Sequence, residues 1–229
     1  MRHILALIIT AAITASVSAA PVNENWKKDF KKSDCEFSSD GKNAYFVLEP
    51  GFQMTYENVK EKAALQVTVL HATKTVDGVI TRVVEEKELK NGQVVEISKN
   101  YFAFCKNTRS VYYFGEDVDI YKDGKVTGHA GSWLSGVNGA QYGLWISSRP
   151  AMGQRYYMES APGVAMDRAE VVRVNDKLDT LAGSFANCIV IEETTPLEPG
   201  KKEYKVYAPG MGLVKDGYLK LVKYGSVKQ

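Results

Sequence analysis

The chain has 229 residues, of which 45% are apolar, 10% aromatic and 24% charged. That balance excludes a disordered chain, a collagen-like fibre and a cysteine-dense miniprotein. A net charge of +2, from 29 Lys+Arg against 27 Asp+Glu, argues against a nucleic-acid partner, which calls for a basic excess or stripe.

The chain opens with Met1-Arg2-His3, an apolar run from Ile4 to Ile13, and small residues up to Ala20 before Pro21. This is the three-part pattern of an export signal. Cleavage after Ala19 is expected, with Val17 and Ala19 at the −3 and −1 sites. A spanning helix needs ~20 apolar residues, and this run is shorter and rich in Ala, Ser and Thr. No transmembrane span is therefore expected after cleavage. The first cysteine is Cys35, so no lipid-attachment cysteine stands at the cut. The expected location is the periplasm or the cell exterior. Residues 20–40 read as a flexible or weakly structured stretch. Within it, Trp26 and Phe30 in NENWKKDFKKS (23–33) have the i, i+4 spacing of a short amphipathic helix.

Residues 41–229 read as one β domain. Asp-Gly or Asn-Gly recurs at 40–41, 77–78, 91–92, 123–124, 138–139 and 216–217, and these dipeptides accept the positive φ of tight hairpins. Pro-Gly stands at Pro50, Pro162, Pro199 and Pro209. Between the turns lie runs rich in Val, Ile, Thr, Tyr and Phe, such as AALQVTVLHAT (63–73) and GVITRVVEEKEL (78–89). Leu65, Val67 and Val69 alternate with Gln66 and Thr68, the period of a strand. Hairpins are expected over 79–104, 117–126 and 203–223. Residues 130–145, rich in Gly, Ser and Ala, read as a long loop or short helix. The expected fold is all-β: an antiparallel meander with little helix. About ten strands strain a single flat sheet, so it should curl into a barrel, half-barrel or sandwich.

Three cysteines, Cys35, Cys105 and Cys188, allow three pairings. Cys105 and Cys188 both lie in strand-like runs, YFAFC and FANCIVI, which makes Cys105–Cys188 the favoured bridge, with two separate buried thiols as the alternative.

Beyond the expected cleavage site the chain has two histidines, His71 and His129. A three-histidine zinc site, an HExxH helix, a GxSxG elbow and a phosphate-binding glycine loop are all absent. No cofactor is implied. On a strand, Asp117 and Asp119 share one face, and the turn at Asp123-Gly124 returns the chain toward His129 and then Trp133. These residues are candidates for a ligand or cation site, and a solvated acidic face is the simpler account. The spacing does not fit a calcium loop. Asp167 and Arg168, which interrupt an apolar stretch (161–172), complete the candidate binding set. Arg168 can pair Glu170 on its own face, or Glu116, Asp117 or Glu159 elsewhere. The acids of VVEEKEL and IEETT read as strand-end charges in water.

Five segments carry a resemblance: GEDVDIYKDGKV (115–126), APGVAMDRAEVV (161–172), LAGSFANC (181–188), EETTPLEPG (192–200) and EYKVYAPGMGLVKDGYLKLV (203–222). They are similar to a group of exported bacterial β-sheet proteins of unassigned function with a C-terminal Tyr-Ala-Pro-Gly-x-Gly-Leu-Val hairpin. The resemblance implies a curled antiparallel sheet and no activity.

The functional expectation is an exported, non-enzymatic binding or structural module of the cell envelope. It would take an apolar small molecule, a lipid chain or a partner protein. The alternative is a carboxylate-based hydrolase or lyase with a site near Asp117, Asp119, His129 and Asp167. A deep apolar cavity would favour binding. A polar cleft joining His129 to the acids would favour chemistry.

Overall fold

The structure, a computed structural model, describes residues 25–227. The expected export signal lies outside the described residues. After a single turn of 3-10 helix at Lys32–Asp34, the described chain is built from strands. In order they are β1 (Phe37–Ser38), β2 (Gly41–Asn43), β3 (Phe46–Leu48), β4 (Phe52–Asn58), β5 (Ala63–Val76) and β6 (Val79–Lys90). Then come β7 (Gln93–Cys105), β8 (Val111–Lys122), β9 (Lys125–Gly128), β10 (Trp133–Leu134), β11 (Gln141–Ile146) and β12 (Arg155–Tyr157). The last six are β13 (Glu159–Ser160), β14 (Arg168–Thr180), β15 (Gly183–Thr194), β16 (Glu203–Ala208), β17 (Gly212–Asp216) and β18 (Leu219–Ser226).

The expected hairpins form where the turn chemistry demands them. Both central residues of Asp77-Gly78, Asn91-Gly92 and Asp123-Gly124 have positive φ, the geometry whose twist matches the flanking strands. The stretch 130–145, expected as a long loop or short helix, is turns interrupted by two short strands, β10 and β11, both paired to β8. The expected short helix over 23–33 is also overturned within the described residues: 25–31 hold no helix, and a single 3-10 turn begins at Lys32. The segment's two large apolar residues anchor separately, Trp26 under the guanidinium of Arg168 at 4.6 Å and Phe30 edge-on to Tyr112 at 5.6 Å. They do not need the shared face a helix would give them.

The main sheet runs β12-β14-β15-β16-β17-β18-β4-β5-β6-β7-β8-β11-β13, with every pairing antiparallel. The first and last strands of that path are consecutive in the chain and separated by Met158 alone. The chain thus draws the two ends of the sheet together into a nearly closed barrel. Gly143 on β11 lies at this seam, and a methyl group there would collide with the carbonyl oxygens of Tyr157 and Met158. Register shifts in β5, β7, β14 and β18 supply the local bends that a closing sheet needs.

The N-terminal arm covers the outside of the barrel. Lys27 exchanges backbone hydrogen bonds with Arg155 and Tyr157, which extends the sheet beyond β12. Phe37 then packs on the outer face of β8 and β11, edge-on to Tyr112, Phe114 and Tyr142. Arg82, 5% exposed, donates to the carbonyls of His71, on the irregular part of β5, and of Ser39, and it also bonds Asp40. One guanidinium thereby satisfies the carbonyl that the bulge releases and fixes the end of the arm.

The arm also carries the disulfide, which joins Cys35 to Cys105. This corrects the expected Cys105–Cys188 bridge. Tyr101 and Ala103 belong to the outer cluster, and Cys105 follows them on the same face by alternation. Cys188 packs in the inner core and is a free, buried thiol. The two sulfurs lie on opposite sides of the sheet.

Candidate functional site

The sequence candidates separate into two groups on opposite faces of the sheet. Asp117 and Asp119 do share an outer face of β8, but their partners differ. Asp117 accepts hydrogen bonds from Lys74, at 2.7 Å, and from Tyr101. Burial pushes its carboxyl up, and these donors outweigh it and hold the group below its ordinary value. Asp119 meets His129 instead, with Oδ1 to Nδ1 at 2.9 Å, in a pair exposed to solvent. The same ring nitrogen lies 2.9 Å from the carbonyl oxygen of Val118. Two of the three expected side chains therefore converge, and the third is engaged elsewhere. Trp133 is buried and stands edge-on to Tyr113 at 5.2 Å. With Asp117, Leu134, Val137, Ala161 and Val164 it lines an open cleft of about 250 Å³. Arg168 lies over Trp26, while Glu170 is held by Arg155, Nε to Oε2 at 2.9 Å.

Asp167 faces the other way, into the lumen, and there the structure shows a site that composition and motif reading missed. Alternation along β6 puts Val84, Glu86 and Glu88 on one face. Their partners on β7 are Asn100, Ser98 and Glu96, and Asn100 and Ser98 are buried. Across the barrel, Ile191 and Glu193 of β15 lie opposite Lys205 and Glu203 of β16, and Lys205 lies opposite Asp216 of β17. Glu116 of β8 and Glu159 of β13 complete the ring. The inner wall is thus apolar at one end and acidic at the other.

Hydrogen bonds and charges organise the acidic end. Lys205 Nζ reaches Glu193 Oε2 at 3.2 Å and Asp216 Oδ1 at 3.6 Å. The buried Glu159 accepts the backbone N–H of Asp167 at 2.7 Å. Glu193 Oε1 is buried and has no hydrogen-bond partner, and neither has the hydroxyl of Tyr207, a residue 1% exposed. Removal from solvent is the main force on the carboxyls, because burial penalises the charged form. It pushes Glu86 up to about 8, against the pull of Lys205 and with added repulsion from Asp216, Glu116 and Glu88. Glu116 and Glu193 are each pushed up to about 7, and Glu159 stands well above its ordinary value. Burial would lower Lys205, but Asp216 and Glu193 overcome it and hold the ammonium well above the usual lysine range.

The two ends differ in free space. At the apolar end, Phe46 and Val47 from the small β2–β3 hairpin plug the lumen against Tyr56, Val69 and Trp145, leaving a cavity of about 30 Å³ that Glu86 and Tyr207 also line where the two ends meet. That admits a water molecule or so. At the acidic mouth a cleft of about 140 Å³ opens between Asp167, Glu193, Thr195, Glu198 and Glu203, with Lys201 also in its lining and paired to Glu198. Among the described residues, no group of three His, Cys, Asp or Glu side chains is placed to hold a metal ion. The mouth gathers more acids than bases, and burial raises several of these carboxyls.

Fold and site together define a class: a nearly closed antiparallel β-barrel with an acidic mouth and a packed opposite end. Comparison with protein families, with curated proteins and with solved structures finds no match for the chain.

Proposed function

We propose that the protein is an exported, non-enzymatic binding module of the cell envelope that takes a positively charged ligand at the acidic mouth of its barrel. The observation that carries this reading is the ring of inward-facing acids, Glu86, Glu88, Glu96, Glu116, Glu159, Asp167, Glu193 and Asp216, around the single inward lysine named above, Lys205. Acids packed at this density raise one another's cost of ionisation, and a bound cation relieves it. The Cys35–Cys105 disulfide suits an oxidising compartment. The N-terminal signal pattern and the resemblance to exported β-sheet proteins support the same address.

The lumen offers no support for an acyl chain or other apolar ligand inside the barrel, since drug-sized pockets run to ~300 Å³ or more and the apolar end leaves about 30 Å³. The hydrolase alternative draws no support from the geometry either. Asp167 faces the lumen, while Asp117, Asp119 and His129 face outward.

The test is thermal melting at pH 8.5 and low ionic strength with millimolar organic and metal cations, against sodium chloride of equal ionic strength. A ligand at one hundred times its dissociation constant adds about 2.7 kcal/mol, so a shift of several degrees is expected with at least one cation. No shift with any cation beyond the salt control overturns the reading.

A further inference from the structure

We infer that the Cys35–Cys105 disulfide is a redox-operated latch: its reduction by a dithiol frees the N-terminal arm, residues 25–38, from the outer face of a barrel that stays folded. The inference stands apart from the cation-binding reading and uses no residue of the acidic mouth.

The arm is a strap laid on the barrel. The path of strands that closes the sheet is drawn from β4 to β18, and the arm adds to it from outside. Within the arm the chain forms one 3-10 turn and the two-residue β1, so its order comes from docking. Apart from the disulfide, it is held by short backbone pairings at Lys27 and β1, by the rings of Trp26, Phe30 and Phe37, and by the ion pairs Lys32–Asp77 and Glu36–Lys106. Ion pairs in contact with water contribute little. The disulfide is the one covalent tie. Beyond it, the buried Arg82 grips the carbonyl of Ser39 and the carboxyl of Asp40. That grip sets the limit of release at Ser38 and keeps the β2–β3 plug seated.

The placement of the sulfurs suits a reversible device. Cys35 is partly exposed and Cys105 is buried, so an attacking thiolate meets the Cys35 sulfur. A mixed disulfide forms there, and Cys105 leaves as a thiolate and takes up a proton. The second thiol of the dithiol then displaces Cys35. Two electrons and two protons pass to the cysteine pair, and the dithiol becomes a disulfide. The third cysteine, Cys188, lies buried on the inner side of the sheet, out of reach of a freed Cys105. Reoxidation therefore restores the same bond. Opening uncovers aromatic surface, since Phe37 lies on Tyr112, Phe114 and Tyr142 at 5.3 to 6.1 Å. It also breaks the 2.8 Å hydrogen bond that the Tyr142 hydroxyl donates to the carbonyl of Phe30.

The experiment is hydrogen exchange read by mass spectrometry on the intact protein at pH 7, before and after millimolar dithiothreitol, with iodoacetamide labelling of a parallel sample. Labelling after reduction should reach Cys35 and Cys105 and spare Cys188. Amides of residues 26–38 should exchange about a hundredfold faster or more, while those of β5, β6 and β7 as far as Asn100 stay within about threefold of their oxidised rates, as local opening requires. Oxidised glutathione should reverse the change. Cys35→Ser should show the open arm with no reductant added. A bond that resists dithiothreitol in the folded protein, or labelling of Cys188 in step with the other two, overturns the latch. An arm that keeps its protection after both cysteines are labelled shows that the bond does not hold it. Loss of protection in β5, β6 and β7 together with the arm, on reduction or in Cys35→Ser, makes the disulfide a staple of the whole fold and overturns the inference.

Discussion

The two ends of the barrel lumen are made from the same strands and held by different physics. Along β6 the inward face passes from Val84 to Glu86 to Glu88, and along β16 from Tyr207 to Lys205 to Glu203. At one end, Phe102 lies between Tyr113, Trp145 and Phe46 at centroid distances of 4.9 to 5.1 Å, and space is nearly exhausted. At the other, carboxyls crowd around Lys205 and a cleft remains open. Packing this tight stabilises by removing apolar surface from water. Burial of mutually repelling acids works against stability whenever they ionise. The apolar end holds the fold, and the acidic end is kept at a cost in stability.

That contrast predicts unequal responses to substitution. The largest effect should come from the apolar end. Phe102→Ala removes a ring that is 1% exposed and should cost about 3–5 kcal/mol, read as a lower urea midpoint. A loss under about 1 kcal/mol would show that the packed end does not carry the fold. The acidic end should respond with the opposite sign. Glu86→Gln removes a carboxyl that burial has raised to about 8. Above that pH the variant should be the more stable, on the order of 1 kcal/mol because Glu86 is only partly buried and solvent screens it, and the gap should close near pH 5. A variant less stable than the parent at pH 9 would show that the Glu86 charge is compensated. The smallest effect should be Tyr207→Phe. Its hydroxyl is buried without a partner, so removal should stabilise the fold, by up to about 1 kcal/mol. A loss would reveal a bond to the hydroxyl.

Much of the fold is legible in the sequence because its punctuation is chemical. Asp-Gly and Asn-Gly at 77–78, 91–92 and 123–124 adopt the positive φ that marks them, and the strands between follow. What alternation could not show is which face turns inward. In YFAFC every position is apolar, so nothing separates Tyr101, Ala103 and Cys105 on the outside from Phe102 and Phe104 within. The disulfide expectation failed on that ambiguity. The acids of VVEEKEL and IEETT failed similarly. A glutamate after alternating valines looks the same whether the strand leaves the core for water or continues along a lumen, and closure of the sheet decides between them. One signal was available: Val84, Glu86 and Glu88 keep the period of the core face. The strands at 133–134 and 141–146 were hidden by the glycines around the first and the one inside the second. At Gly143 a glycine marks where two backbones meet at the seam rather than a loop.

The central claim is that one end of the lumen holds acids in a setting that favours their protonated form. Raised carboxyl pKa values mean that the folded state binds more protons than the unfolded state. Stability should then be greatest at low pH and fall as pH rises through the folded values. Glu116 and Glu193 at about 7 and Glu86 at about 8, against 4.5 in the unfolded chain, set a window from about pH 4.5 to 8. Urea unfolding of the protein at low salt, from pH 5 to pH 9, measures this directly. The account predicts a stability that declines from pH 5 to about pH 8 and levels off above it, with the steepest decline removed in a Glu86→Gln, Glu193→Gln double variant. A stability that is flat or rises from pH 5 to pH 8 would contradict it.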